Sequence, residues 1–215
     1  MYIIIIFFIL LALIMSIILN NILSKDNAYI YPSSKKLIIL LTLQVFINIL
    51  VACTHYENLY KIIYIALSIP LFSIAYTDLV QKQIYLLSNY ILMFICFITI
   101  IIACINNNIQ NNINLFIMIL LYSSFVLIEY HLKLFGKGDA RTLLSLQFIL
   151  ETLHSDKVVL QFELLLWHIL ISILIFIIRN IKHIEIRKLK LKTSKPFAPD
   201  IIIAFYLILI FLGLQ

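Results

Sequence analysis

Polar residues in this chain come in short clusters, and the apolar runs between them last for whole helix lengths rather than alternating with period 2. A helix rises about 1.5 Å per residue, so about 20 apolar residues span the hydrocarbon core of a bilayer. Runs of this kind fall at residues 2–23, 37–53, 59–77, 84–105, 113–130, 141–153, 158–178 and 201–214. The sixth and eighth are short, which suits tilted, half-buried or re-entrant helices. The pattern predicts an all-α, polytopic transmembrane helical bundle of about eight spans. Two N-terminal helices (residues 1–58) precede a core of about six (residues 59–215), with no internal repeat and no soluble domain. The first run lacks a basic leader and an Ala-x-Ala exit, and it exceeds the usual apolar stretch of a signal peptide, so it reads as a true span.

Composition points the same way. Hydrophobic residues make up 64% of the chain, charged residues 12%, and mean hydropathy is +1.10. Soluble domains are about 45–50% apolar and about 25% charged. A fold of this size leaves roughly a third of its surface exposed, so lipid must solvate much of this one. Cys53, Cys96 and Cys104 stand in apolar runs without CxxC or Cys/His spacing, and they read as small core residues rather than disulfide or metal ligands.

The net charge of +6 is explained by its distribution. With the loop after Asp78 placed in the cytoplasm, residues 24–36, 131–141 and 179–200 also fall inside. These segments then hold every basic residue except Lys61 and Lys157. The positive-inside rule fixes this orientation and puts both termini outside. The basic residues therefore serve topology and anionic lipid headgroups, not nucleic acid. The uncharged stretch NNNIQNN (106–112) suits an external hairpin, and the basic segment at 179–195 reads as a solvated loop or an amphipathic surface helix.

Against this background two aspartates occupy matching places. Asp78 ends the third span in AYTDLVQKQIYLL, and Asp139 follows the fifth in GKGDAR, both at the cytoplasmic membrane edge. Two carboxyl groups brought to one low-dielectric site cannot both ionise cheaply, so one keeps a proton. An aspartyl protease needs that division: a base that takes a proton from water, and an acid that hydrogen-bonds the peptide carbonyl. Gly136 and Gly138 would permit positive φ and close backbone approach around Asp139. A plainer reading stands beside this one, with glycine as a helix C-cap and Asp139 as the cap of a helix starting at Ala140.

GKGDAR resembles the Gly-x-Gly-Asp-x-Lys motif of the type IV prepilin peptidases, the bacterial branch of the GxGD membrane aspartyl proteases. Asp78, with Ile84 six residues on, is similar to that family's earlier Asp motif. Pro196, Phe197, Ala198 and Pro199 resemble the Pro-Phe-small-Pro segment leading into its last helix. The motifs run in the family's order from about Leu59 to the C-terminus. Tyr85 and Leu86 stand where the family has Pro and Asn or Asp, and Arg141 replaces Lys, keeping the charge but not the compact ammonium. The family's cysteine-rich cytoplasmic insert is missing, so the resemblance does not extend to N-methylation.

The resemblance implies a cofactor-free endopeptidase of a bacterial inner membrane, with Asp78 and Asp139 as the catalytic pair. Its partners would be prepilin or pseudopilin precursors, whose basic leader is cut at the cytoplasmic face and whose apolar helix packs in a groove between spans. Lys137 and Arg141 would then steady Asp139 or contact substrate, or else simply obey the charge rule. Two other readings remain. One is a diverged, non-catalytic scaffold of a pilus, competence or secretion assembly. The other is a small ion-coupled transporter, which the lack of an inverted repeat disfavours. Glu129 and His131 read as interfacial residues, and Glu151, Glu163 and His168 as ionisable groups in or near spans, where they are costly and often functional. His55, His154 and His183 form no metal-ligand spacing, and tyrosines at span edges suit an interfacial belt.

Overall fold

The computed structural model describes residues 2–26, 29–131, 136–153, 158–181, 184–185, 190–191 and 196–214. The described residues form eight α-helices: α1 (Tyr2–Leu23), α2 (Ser34–Ala52), α3 (Asn58–Gln81), α4 (Leu86–Asn106), α5 (Ile109–His131), α6 (Lys137–Leu153), α7 (Val158–Asn180) and α8 (Ala198–Leu214). Ahead of α8, Ile184–Glu185 (β1) pairs antiparallel with Lys190–Leu191 (β2). The rest of that basic segment, including Lys182, Arg187, Lys188, Lys192 and Lys195, lies outside the described residues, as do Lys133, His154, Lys157 and His183.

The helices follow the apolar runs, and local chemistry moves their ends. α5 begins four residues before its apolar run because the Asn108 side chain accepts the Asn111 N–H at 2.8 Å, an N-cap that shortens the asparagine-rich hairpin. α3 outlasts its run by a turn and stops at Lys82, whose left-handed φ of 54° lets its N–H bond the Asp78 carbonyl at 3.0 Å. Five helices, α1, α2, α3, α4 and α7, are long and apolar enough among the described residues to cross a membrane, and α8 is a shorter apolar helix of 17 residues. Large apolar side chains such as Phe94, Phe116 and Phe211 stand exposed on the outside of the bundle. These features mark a multi-pass membrane protein.

Packing is centred on α3, which touches α1, α2, α4 and α8; α6 fills the other half against α4, α5, α7 and α8. Lipid is as apolar as leucine, so shape and interhelical hydrogen bonds rather than water exclusion hold such helices together. Gln44 of α2 donates from Nε2 to Ser16 of α1 and to Ser68 of α3, each at 2.8 Å, and Asn48 Nδ2 adds a bond to Ser68 at 3.2 Å. Ser73 and Ser88 join α3 to α4 at 3.1 Å. Thr142 of α6 donates to Asn89 of α4 at 3.3 Å. At the end of the bundle where α2 meets α3, Gly213 lies so close to Thr54 that a β-carbon there would sit 2.7 Å from the threonine Cβ, and the His55 N–H bonds the Gly213 carbonyl.

Candidate active site

The end of α3 and the starts of α6 and α8 converge at the opposite end of the bundle. Asp78 lies in the last turn of α3 on its buried face, 6% exposed. Its Oδ2 accepts the backbone N–H of Ala198, the first residue of α8, at 3.0 Å. The Phe197 N–H faces the same carboxylate. A helix start leaves such N–H groups without intrahelical partners and carries partial positive charge, so it is an effective anion site.

Asp139 enters from the first turn of α6, and the Ala198 N–H faces its carboxyl group as well. Asp78 and Asp139, 61 positions apart in sequence, thus share one backbone donor. Burial pushes the Asp139 carboxyl up from 3.8 to about 7; the nearby charges of Asp78 and Asp200 add to this, and the N–H groups of Gly136 and Ala198 oppose it. Asp139 Oδ1 is buried with no hydrogen-bond partner among the described residues. A buried oxygen of that kind suits a proton, which a bound acceptor can then receive.

Asp139 does not cap a helix starting at Ala140. α6 begins at Lys137, and the Ala140 N–H already bonds the Gly136 carbonyl at 3.0 Å. The glycines also work differently from expectation. Neither has a positive φ; the left-handed residue among those described is Lys82. Gly138 is needed for space, since a β-carbon there would stand 2.8 Å from Ile84 Cδ1 and 2.9 Å from Ile84 Cβ. At Gly136 it would meet only Asp139 Oδ2, at 3.3 Å. The linker between α3 and α4 therefore presses directly on the α6 start, and Thr142, bonded to the Gly138 carbonyl and to Asn89, fixes the same turn from α4. Arg141 is half-buried on α6, and the Lys137 side chain lies outside the described residues.

Tyr85 N-caps α4 with φ −71°, a value that proline also adopts, and its ring packs edge-on against Tyr29 with centroids 5.4 Å apart. Beside it lies a hollow of about 420 Å³ bordered by Leu23, Asp26, Gln83, Ile84 and Leu87.

Sequence reasoning passed over two residues here. Asp200, in the first turn of α8, is fully buried, and its Oδ2 accepts from Arg179 Nη2 of α7 at 2.7 Å. The same Arg179 nitrogen also donates to the Pro196 carbonyl.

The other ionisable groups of the spans lie elsewhere. Glu151 is fully buried near the far end of α6, with both oxygens lacking partners among the described residues, and its carbonyl accepts from Gln161 of α7. His168 is tied to Gln147 at 3.3 Å and to the Ile201 carbonyl at 3.1 Å. Glu163 is exposed beside an apolar groove of about 780 Å³ lined by Leu50, Leu164, Trp167 and Phe211. That groove lies toward the end of the bundle away from the aspartates.

No protein-family model, curated protein or solved structure matches the chain.

Proposed function

We propose that the chain is a membrane aspartyl endopeptidase that cuts the leader peptide from prepilin or pseudopilin precursors at the cytoplasmic face of the inner membrane. The observation that carries this reading is the shared Ala198 N–H, which draws Asp78 and Asp139 onto one buried site at a bundle end. Among the described residues expected inside by charge, Lys82, Arg141 and Arg179 stand at that same end.

The two carboxyl groups have different surroundings, and these suggest their roles. Asp78 takes a helix-start N–H and acts as the base, accepting a proton from a water that attacks the scissile carbonyl carbon. Asp139 keeps its proton near neutral pH and acts as the acid, donating it to the carbonyl oxygen as that oxygen gains charge. When the tetrahedral intermediate collapses, the proton taken from water passes to the departing amine. The hollow beside Ile84 and Tyr85 offers space for a peptide segment at the same end.

The test is co-expression in membranes with a pilin-like precursor whose leader ends in Gly. The parent chain should shorten the precursor, and Asp78→Asn and Asp139→Asn should not, although both still insert. Cleavage that persists in either variant would remove the reading. A panel of precursors left intact by the parent would favour a non-catalytic scaffold, a role in which Tyr85 acts through its packing on Tyr29.

A further inference from the structure

Asp200 takes no part in the reaction proposed above, yet its carboxylate is wholly shielded from solvent at that end of the bundle. Its geometry ties it to the residues that do. Arg179, at the last turn of α7, bonds both the Pro196 carbonyl and Asp200 Oδ2, so one guanidinium grips a five-residue stretch at its two ends. Between those ends stand Phe197 and Ala198, whose N–H groups face Asp78. The Phe197 ring rests edge-on against Phe176 of α7 at 5.3 Å, a second anchor on the same helix. An α8 start held in this way has little freedom to turn the Ala198 N–H away.

We propose that the Arg179–Asp200 pair is a positioning clamp, which aims the start of α8 at the two catalytic aspartates and keeps their surroundings electrically balanced. The reference to catalysis rests on the peptidase reading, whereas the clamp itself is a claim about geometry and charge. Only the carboxylate of this pair is buried: Asp200 is 0% exposed and the Arg179 side chain 29%. Water screens the arginine side, and desolvation of the aspartate offsets much of the attraction, so the pair contributes little to stability alone. The groups bearing on Asp139 are Asp78 from α3, Asp200 from α8 and, through Asp200, Arg179 from α7; Arg141 stands on α6 itself, and α5 ends on His131 one linker earlier. Loss of the Asp200 charge removes one anion from this set and leaves a guanidinium uncompensated. Both changes favour the ionised form of Asp139.

The experiment reads the protonation of Asp139 directly in the full chain in lipid nanodiscs. A water-soluble carbodiimide couples an amine only to a protonated carboxyl group, and mass spectrometry of the peptide containing Asp139 gives the pH at half-modification. In D200N this midpoint should fall by about one pH unit, as expected for one uncompensated charge nearby. In the double variant D200N/R179Q, which removes both charges, it should return to within a few tenths of a unit of the parent. A purely structural pair predicts the reverse order, with the double variant the more disturbed, and that result or an unmoved D200N midpoint overturns the clamp. R179K serves if D200N does not fold: charge is kept, but the shorter side chain does not reach the place where Nη2 bonds both Pro196 and Asp200, so the midpoint should hold while precursor cleavage drops at least tenfold. Midpoints that move as expected in protein that cleaves no precursor leave the clamp standing and remove the peptidase reading. Cleavage with unmoved midpoints does the opposite.

Discussion

Where α1, α2 and α3 meet, Gln44, Asn48, Ser16 and Ser68 are buried, and the amide donors find hydroxyl acceptors across the helices. Where α3, α6 and α8 meet, the buried groups are carboxyls, and Asp139 Oδ1 and Asp200 Oδ1 have no partner among the described residues. Both clusters join three helices. The difference is charge: the first is neutral and its amide donors find hydroxyl acceptors, although Asn48 Oδ1 has no partner among the described residues, whereas the second holds three acids around one helix start. Polar atoms that satisfy one another act as glue between helices. Acids crowded together with unused oxygens are costly, and a fold retains them where a proton or a substrate will meet them.

The largest expected contrast separates the two clusters by kind of defect. Asp78→Asn or Asp139→Asn keeps shape but removes an acid–base group, and precursor cleavage should drop by at least about 10³-fold while thermal unfolding at about pH 4 changes little. Changes at the seam should do the reverse. A seam variant that abolished cleavage with an unaltered melting temperature would erase the distinction.

The contrast should also depend on pH. Asp139 is an acid whose folded-state value is raised from 3.8 to about 7. Its proton is bound more firmly in the folded chain, so its contribution to stability is complete below 3.8 and is lost as pH rises through about 7. The parent's melting temperature in detergent should therefore fall steadily between about pH 4 and pH 7 relative to Asp139→Asn and level off above that, with the two in agreement at about pH 4. Cleavage needs the same proton and should decline by about tenfold per pH unit above 7. No titratable group belongs to the seam, so Ser68 variants should keep the parent's pH profile.

Gly138 tests the packing that supports the acid end. Ala at this position drives a β-carbon to within 2.9 Å of Ile84 Cβ, which only backbone movement relieves. Overpacking of this sort costs about 1–3 kcal/mol and here also moves Asp139, so stability and cleavage should fall together. Gly136→Ala meets only a carboxyl oxygen at 3.3 Å and should cost less on both measures.

These expectations show what was readable along the chain. Helix positions were, because runs such as IIIIFFILLALIM exclude any other solvent than lipid. The helix ends were less so, since they depend on single contacts, such as the Asn108 cap of α5 and the left-handed Lys82. Asp78 and Asp139 stood out as acids at span ends, but the donor they share belongs to Ala198, 120 positions beyond Asp78. Asp200 was hidden for a similar reason: only the packing of α7 beside α8 supplies its partner Arg179. Gly138 was noticed for backbone freedom, while its actual constraint comes from Ile84, a residue no local pattern connects to it. Gln44 and Ser68 gave no signal at all inside apolar runs, because hydrogen bonding between spans has no period.

The smallest predicted effect concerns that silent seam. The Ser68 hydroxyl accepts from Gln44 and Asn48 and donates to the Ile65 carbonyl at 2.7 Å, so Ser68→Ala leaves two buried amides each short of an acceptor. In water-soluble interiors such orphaned donors cost about 1–3 kcal/mol apiece. In membranes, measured interhelical bonds average only about 0.6 kcal/mol, because the separated helices find partners of their own. Gln44 also keeps its bond to Ser16. The loss should therefore be about 1 kcal/mol, seen as a small fall in the unfolding midpoint by denaturant in mixed micelles, with cleavage within twofold of the parent. A loss of several kcal/mol would mean that the seam organises the bundle as strongly as its helix packing does. The neutral cluster would then be as essential as the acidic one, though for folding rather than for chemistry.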